Sequence, residues 1–146
     1  MTPKEQAIRI TDQMYEHDFF SQWLGIERLE DNAGRSVLRM TIRREMLNGF
    51  GIAHGGITFA LADSALAFAS NSRGRHALSI ETAISHLESL HEGDIITAFA
   101  EEQNLGNKIA IYHVTIKNQR DQTVALFKGT VYRTSRAWEI GGEETL

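Results

Sequence analysis

The sequence predicts an α+β domain: a long buried central helix wrapped by a curved antiparallel β-sheet, with a second helix at the N-terminus. Three observations carry this. Residues 57–69 place Ile, Phe, Leu and Ala on nearly every side of a helix, so that helix is covered rather than laid on a surface. Five other segments alternate residue types at the strand period. Short stretches bearing Gly, Asn or Asp separate the last of them, as in hairpin-connected strands.

Taken in order, Thr2-Pro3-Lys4-Glu5 opens the first helix: Thr2 caps, Pro3 suits the first helical position, and Glu5 closes a capping box. Ala7, Ile10, Met14 and His17 then fall on one face, and the helix runs to about His17. Phe19, Phe20, Trp23, Leu24 and Ile26 form an apolar patch expected to pack that helix onto the sheet. The other reading of these rings is a pocket for an acyl group. Residues 35–43 alternate with Leu38, Met40 and Ile42 together. After the central helix, 77–87 groups Leu78, Ile80, Thr82 and Ile84, and 94–103 groups Ile95, Thr97 and Phe99. Residues 108–118 group Ala110, Tyr112, Val114 and Ile116, and 123–133 alternates to Thr134, where the pattern stops. The last three strands read as a meander. The expected limits are one domain over 1–134 and a C-terminal tail over 135–146.

Composition narrows the function classes. A chain of 146 residues fits one domain with a real core. A net charge of -4 without charge blocks argues against nucleic acid as a partner. Zero cysteines remove disulfides, a thiolate nucleophile and zinc–thiolate sites. No HExxH, GxSxG, Walker or Rossmann pattern occurs. No metal is therefore expected. The polar start MTPKEQ and the interrupted apolar run predict no membrane partner and a cytoplasmic protein.

The chemistry concentrates in 48–74. Gly55 and Gly56 stand where the central helix begins, and the first N–H groups of a helix have no internal acceptor. Such a start holds a carbonyl oxygen as it becomes an oxyanion; it also serves as a plain turn. Asn48, His54 and Asp63 in the same stretch favour the first reading. Three roles are open to Asp63: general base, nucleophile, or a structural carboxylate bonded to backbone. Burial would push its pKa upward and make it a better base near neutral pH. His54 and Asp63 are nine residues apart, on opposite faces of one helix and about 13 Å apart along its axis. They cannot serve each other within one chain. A shared site thus predicts an oligomer, and pairing exposed sheet edges between subunits would serve the same end.

These residues also carry a resemblance. Met46-Leu47-Asn48-Gly49, His54-Gly55-Gly56, Leu61-Ala62-Asp63 and Asn71-Ser72-Arg73-Gly74 resemble the hotdog-fold acyl-CoA thioesterases, and among them the PaaI-type enzymes of phenylacetate degradation. The likeness extends through Gly93-Asp94 and 122–133, covering about residues 10–134. Glu88-Ser89 stand where many relatives show Arg-Pro. The resemblance implies a hotdog fold and hydrolysis of an acyl-CoA substrate to a carboxylic acid and CoA, without metal or redox cofactor. Phenylacetyl-CoA or a related aryl or medium-chain acyl-CoA is the implied substrate. It implies that Asp63 acts as base or nucleophile and that the Gly55 amide is the oxyanion donor. His54 would lie by the thioester carbonyl or sulfur, and Asn48 would position the water, with Ser79 as a further hydroxyl to orient it. Arg73, Arg75, Lys108 and Arg133 are the cations available for CoA phosphates. The Asp comes from one protomer and the His-Gly loop from its neighbour, in a homodimer or homotetramer. The alternatives are a non-catalytic acyl-CoA-binding protein, which Asp63 disfavours, and a hotdog dehydratase.

Overall fold

The computed structural model describes residues 1–141. Its elements are α1 (Pro3–Glu16), α2 (Phe19–Leu24), β1 (Glu27–Asn32), β2 (Arg35–Thr41), a 3-10 turn (Arg44–Met46), α3 (Gly55–Asn71), β3 (Arg75–His86), β4 (Ile95–Leu105), β5 (Ile109–Lys117) and β6 (Thr123–Ala137). The strands form one antiparallel sheet in the order β1-β2-β4-β5-β6-β3. α3 touches all six strands, so the sheet curls around it. This is the predicted α+β architecture.

Local chemistry sets the first helix. The Thr2 hydroxyl accepts from the Glu5 N–H at 3.0 Å, and the Glu5 carboxylate accepts from the Thr2 N–H at 2.7 Å. Ala7 and Ile10 are buried, whereas His17 is exposed and only ends the helix. In the sheet, Leu38, Met40 and Ile42 and the Ala110–Ile116 set face the core as the alternation predicts. β4 turns Ile96, Ala98 and Ala100 inward, so the Ile95–Phe99 group lies on the outer face. Small residues let helix and sheet approach closely. A Cβ on Gly129 of β6 would sit 2.5 Å from a Leu66 methyl of α3.

Four expectations need correction. First, Phe19, Phe20 and Trp23 do not pack α1 onto the sheet; they are 72%, 54% and 57% exposed on α2, and only Leu24 and Ile26 are buried. A six-residue helix cannot turn every apolar side chain inward. Second, Leu78, Ile80, Thr82 and Ile84 do not share one face: a register shift between Ser79 and Glu81 leaves Leu78 and Ile80 65% and 60% exposed, whereas Ile84 pairs with buried Phe127 and packs against the core. Third, β1 escapes the alternation pattern because it is charged. It is held by its ladder to β2 and by the Glu27–Arg39 and Glu30–Arg35 pairs at 3.1 and 3.0 Å. Fourth, β6 runs on to Ala137, since residues 134–137 are held by pairing with β3 rather than by burial. Residues 142–146 of the expected tail lie outside the described residues.

One side chain clasps the C-terminal end of α3 to β3 and to the indole beyond β6. Asn71 is buried and uses its whole amide. Its Nδ2 donates to the Ala67 and Ala77 carbonyls at 2.9 and 3.1 Å. Its Oδ1 accepts from the Ala77 N–H at 2.9 Å and the Trp138 indole N–H at 3.0 Å. Asn71→Ala leaves the buried Ala77 backbone groups without partners, a loss of about 3 kcal/mol. Urea unfolding is expected to show a lower midpoint with an unchanged slope.

Candidate active site

The loop before α3 is held by backbone hydrogen bonds within itself and to Leu90, and by the Asn48 side chain. Asn48 N–H donates to Ile52 O at 2.7 Å, Ala53 N–H to Leu90 O at 2.8 Å, and His54 N–H to Met46 O at 2.8 Å. The Asn48 side-chain oxygen accepts from the Phe50 N–H at 2.9 Å and the Ile52 N–H at 3.4 Å. Asn48 therefore shapes the loop through Oδ1, and only its Nδ2 is left to meet a water. Phe50, at the tip, is 89% exposed.

His54 caps α3. Its Nδ1 accepts from the Gly56 N–H at 2.9 Å, which puts the ring hydrogen on Nε2. The Gly55 N–H has no acceptor among the described residues. A donor at the positive end of a 17-residue helix is thus left open for an incoming oxygen. The ring of His86, the last residue of β3, packs against Gly55. A Cβ at position 55 would stand 3.2 Å from His86 Nε2. The sequence spacing carries no hint of this contact, which the fold alone creates.

Asp63 occupies the third turn of α3, half-buried. Its carboxylate makes no hydrogen bond or ion pair among the described residues. It lines a cavity of about 160 Å³ with Leu66, Ala77, Leu78, Ser79 and Val131. Burial pushes its pKa up, and the negative charge of Asp18 adds to the shift. Asp18 belongs to a network the residue pattern did not reveal. Its carboxylate accepts from the Ser21 N–H and hydroxyl at 3.0 and 2.6 Å, and Ser21 Oγ lies 2.8 Å from Ser64 Oγ. α2 is thereby tied to the residue after Asp63. The structure brings Asp63 and Ser79 together on one cavity and leaves Asn48, His54 and Gly55 apart from them, at the helix start.

Residues 50–125 match the family model described as the thioesterase superfamily. The acyl-coenzyme A thioesterase PaaI of Escherichia coli is 40% identical over 90% of this chain and 90% of its own length. The chain belongs to the thioesterase superfamily. The structure of the E. coli PaaI protein from the phenylacetic acid degradation operon superposes with a TM-score of 0.91 and 36% identity, covering 93% of this chain and 99% of that one. A mutant of the phenylacetic acid degradation protein PaaI from Thermus thermophilus gives 0.78 and 38%, over 80% and 100% of the two chains. A Streptococcus mutans protein solved bound to acetyl-CoA gives 0.75 and 26%, over 77% and 91%.

In this thioesterase-superfamily chain the four candidate cations gather at the far end of α3, around the β4–β5 turn. Arg73 forks onto Glu102 at 2.7 and 3.0 Å, and Glu102 also accepts from the Tyr112 hydroxyl at 3.0 Å. Arg75 and Arg133 donate to the Asn107 and Gly106 carbonyls at 2.5 and 2.8 Å. Lys108 has no side-chain partner among the described residues. No helix among them is long and apolar enough to cross a membrane.

The unpartnered carboxylate carries a stability consequence. Its folded-state pKa is raised, so folding disfavours the ionised form. Its contribution to stability is full below the unfolded value of 3.8 and is lost as pH rises through the raised one. Asp63→Asn is therefore expected to raise Tm at pH 7 and to bring no gain at a pH below that unfolded value. Thermal unfolding at both pH values checks this, and a lower Tm at pH 7 contradicts it.

Proposed function

We propose that this protein is an acyl-CoA thioesterase that hydrolyses its substrate to a carboxylic acid and free CoA. The observation that carries the reading is Asp63, a carboxylate without a partner among the described residues, raised in pKa and lining an apolar cavity. A structural aspartate would be bonded to backbone; this one is left available for chemistry. Membership of the superfamily and likeness to E. coli PaaI and to the acetyl-CoA-bound relative support the same activity.

In the proposed mechanism Asp63 takes a proton from water as its oxygen attacks the thioester carbon. The Gly55 N–H receives the developing oxyanion. His54 donates through Nε2 to the substrate carbonyl or sulfur, Ser79 steadies the water beside Asp63, and the Asn48 amide reaches it from the loop. The two halves cannot meet within one chain, since nine residues of α3 hold them about 13 Å apart. The site is therefore shared between protomers of a homodimer or homotetramer in the cytoplasm. Exposed Leu78 and Ile80 on edge strand β3 suit such pairing.

The cavity beside Asp63 is small and mostly apolar, which favours a compact acyl group such as phenylacetyl, with related aryl and medium-chain groups behind it. Of the four candidates, Lys108 is the one without a side-chain partner among the described residues and so the first choice for a CoA phosphate, with Arg75 and Arg133 beside it and Arg73 held back by Glu102.

An acyl-CoA panel with thiol detection tests the reading. Phenylacetyl-CoA is expected among the best substrates, and Asp63→Asn is expected to lower kcat by about 10³-fold. Because the base must be ionised, kcat/KM should fall with acid at a pH above the ordinary carboxylate range. Tight binding without turnover of any acyl-CoA would instead assign a binding protein.

A further inference from the structure

Two imidazoles stand at the start of α3, and they are not equivalent. His54 spends its Nδ1 lone pair on the Gly56 N–H. A proton added there would break the cap, so His54 can donate a hydrogen bond but cannot cycle a proton without loosening the helix start. His86 has no such tie. It pairs in register with Ala125, which is fully buried, so its side chain shares the helix side of the sheet. Its ring is exposed, and neither nitrogen has a partner among the described residues. The ring edge meets Gly55, with Nε2 and Cε1 at 3.2 and 3.4 Å from where a Cβ would be. A side chain at 55 would push the ring aside, which gives the glycine a reason beyond helix geometry. A thioester whose oxygen sits on the Gly55 N–H has its sulfur one bond from the same carbon, beside this ring.

We infer that His86 is the general acid of the reaction, protonating the CoA sulfur as the carbon–sulfur bond breaks. This rests on the thioesterase reading above. The proton count closes. Water gives one proton to Asp63 and its oxygen bonds to the carbonyl carbon. The electron pair of the carbon–sulfur bond leaves with sulfur, which takes a proton from the His86 imidazolium. The acid and free CoA depart; Asp63 holds one extra proton and His86 lacks one, and exchange with solvent restores both. Both imidazoles and the free N–H then belong to one protomer, and the carboxylate to the other.

Leaving-group dependence tests this. An alkyl thiolate such as that of CoA gains from a proton as it leaves; a 4-nitrothiophenolate departs unaided. His86→Gln is expected to lower kcat on phenylacetyl-CoA about 10²-fold. On the 4-nitrothiophenyl ester of the same acid the loss should be much smaller, so the ratio of the two rates rises at least about tenfold. His86→Phe keeps a ring against Gly55 and should shift the ratio likewise, which separates proton transfer from packing. Equal losses on both esters, or none, overturn the assignment. Asp63→Asn lowers both rates together. A wild-type protein that turns over neither ester overturns the thioesterase reading and this inference with it, so the two failures are told apart.

Discussion

A helix that is apolar on nearly every side has to be covered on every side, and the rest of this fold is arranged to cover α3. One sheet does most of it by curling until all six strands touch the helix. Close contact needs small residues where they meet, which is why Gly129 faces Leu66. The ends need fastening as well. Asn71 locks the C-terminal end to β3 and to Trp138, and the His54 cap fixes the N-terminal end. Against this cover, a half-buried carboxylate without a partner among the described residues is a cost that packing alone would not retain.

What was legible in the sequence was what local chemistry decides. The Thr2–Glu5 capping box, the Leu38–Ile42 stripe and the Ala110–Ile116 alternation each reached the structure unchanged. What was not legible depended on partners distant in sequence. β1 is charged and exists through its ladder with β2. Phe19, Phe20 and Trp23 look like core by type but sit on a helix too short to bury them. In the site, Asp63, His54 and Gly55 could be singled out because a carboxylate in an apolar run and a His-Gly-Gly helix start are local anomalies. The contact of His86 with Gly55 and the tie from Asp18 through Ser21 to Ser64 are made only when strands and helices meet. Asn48 was legible as a loop residue of note, yet its oxygen goes to backbone rather than to water.

Three of the exposed apolar residues lie on segments that the proposed second chain would meet. Leu78 lines the Asp63 cavity and is exposed, and Ile80 follows it on edge strand β3. Phe50 projects from the loop that carries His54. Patches of this kind on a small domain mark an interaction surface. In the proposed assembly each protomer gives a carboxylate to one site and a helix start to another, so stability of the dimer and competence of the site become the same property.

Subunit mixing tests that claim most directly. Asp63→Asn and His54→Ala proteins, each inactive alone, are combined and exchanged, with hybrid formation followed by mass spectrometry. A site shared across a two-fold axis gives each hybrid one intact site, so activity should return to about a quarter of wild type after random exchange. A mixture whose rate stays at the sum of its parents, despite confirmed hybrids, would contradict a site built from two chains.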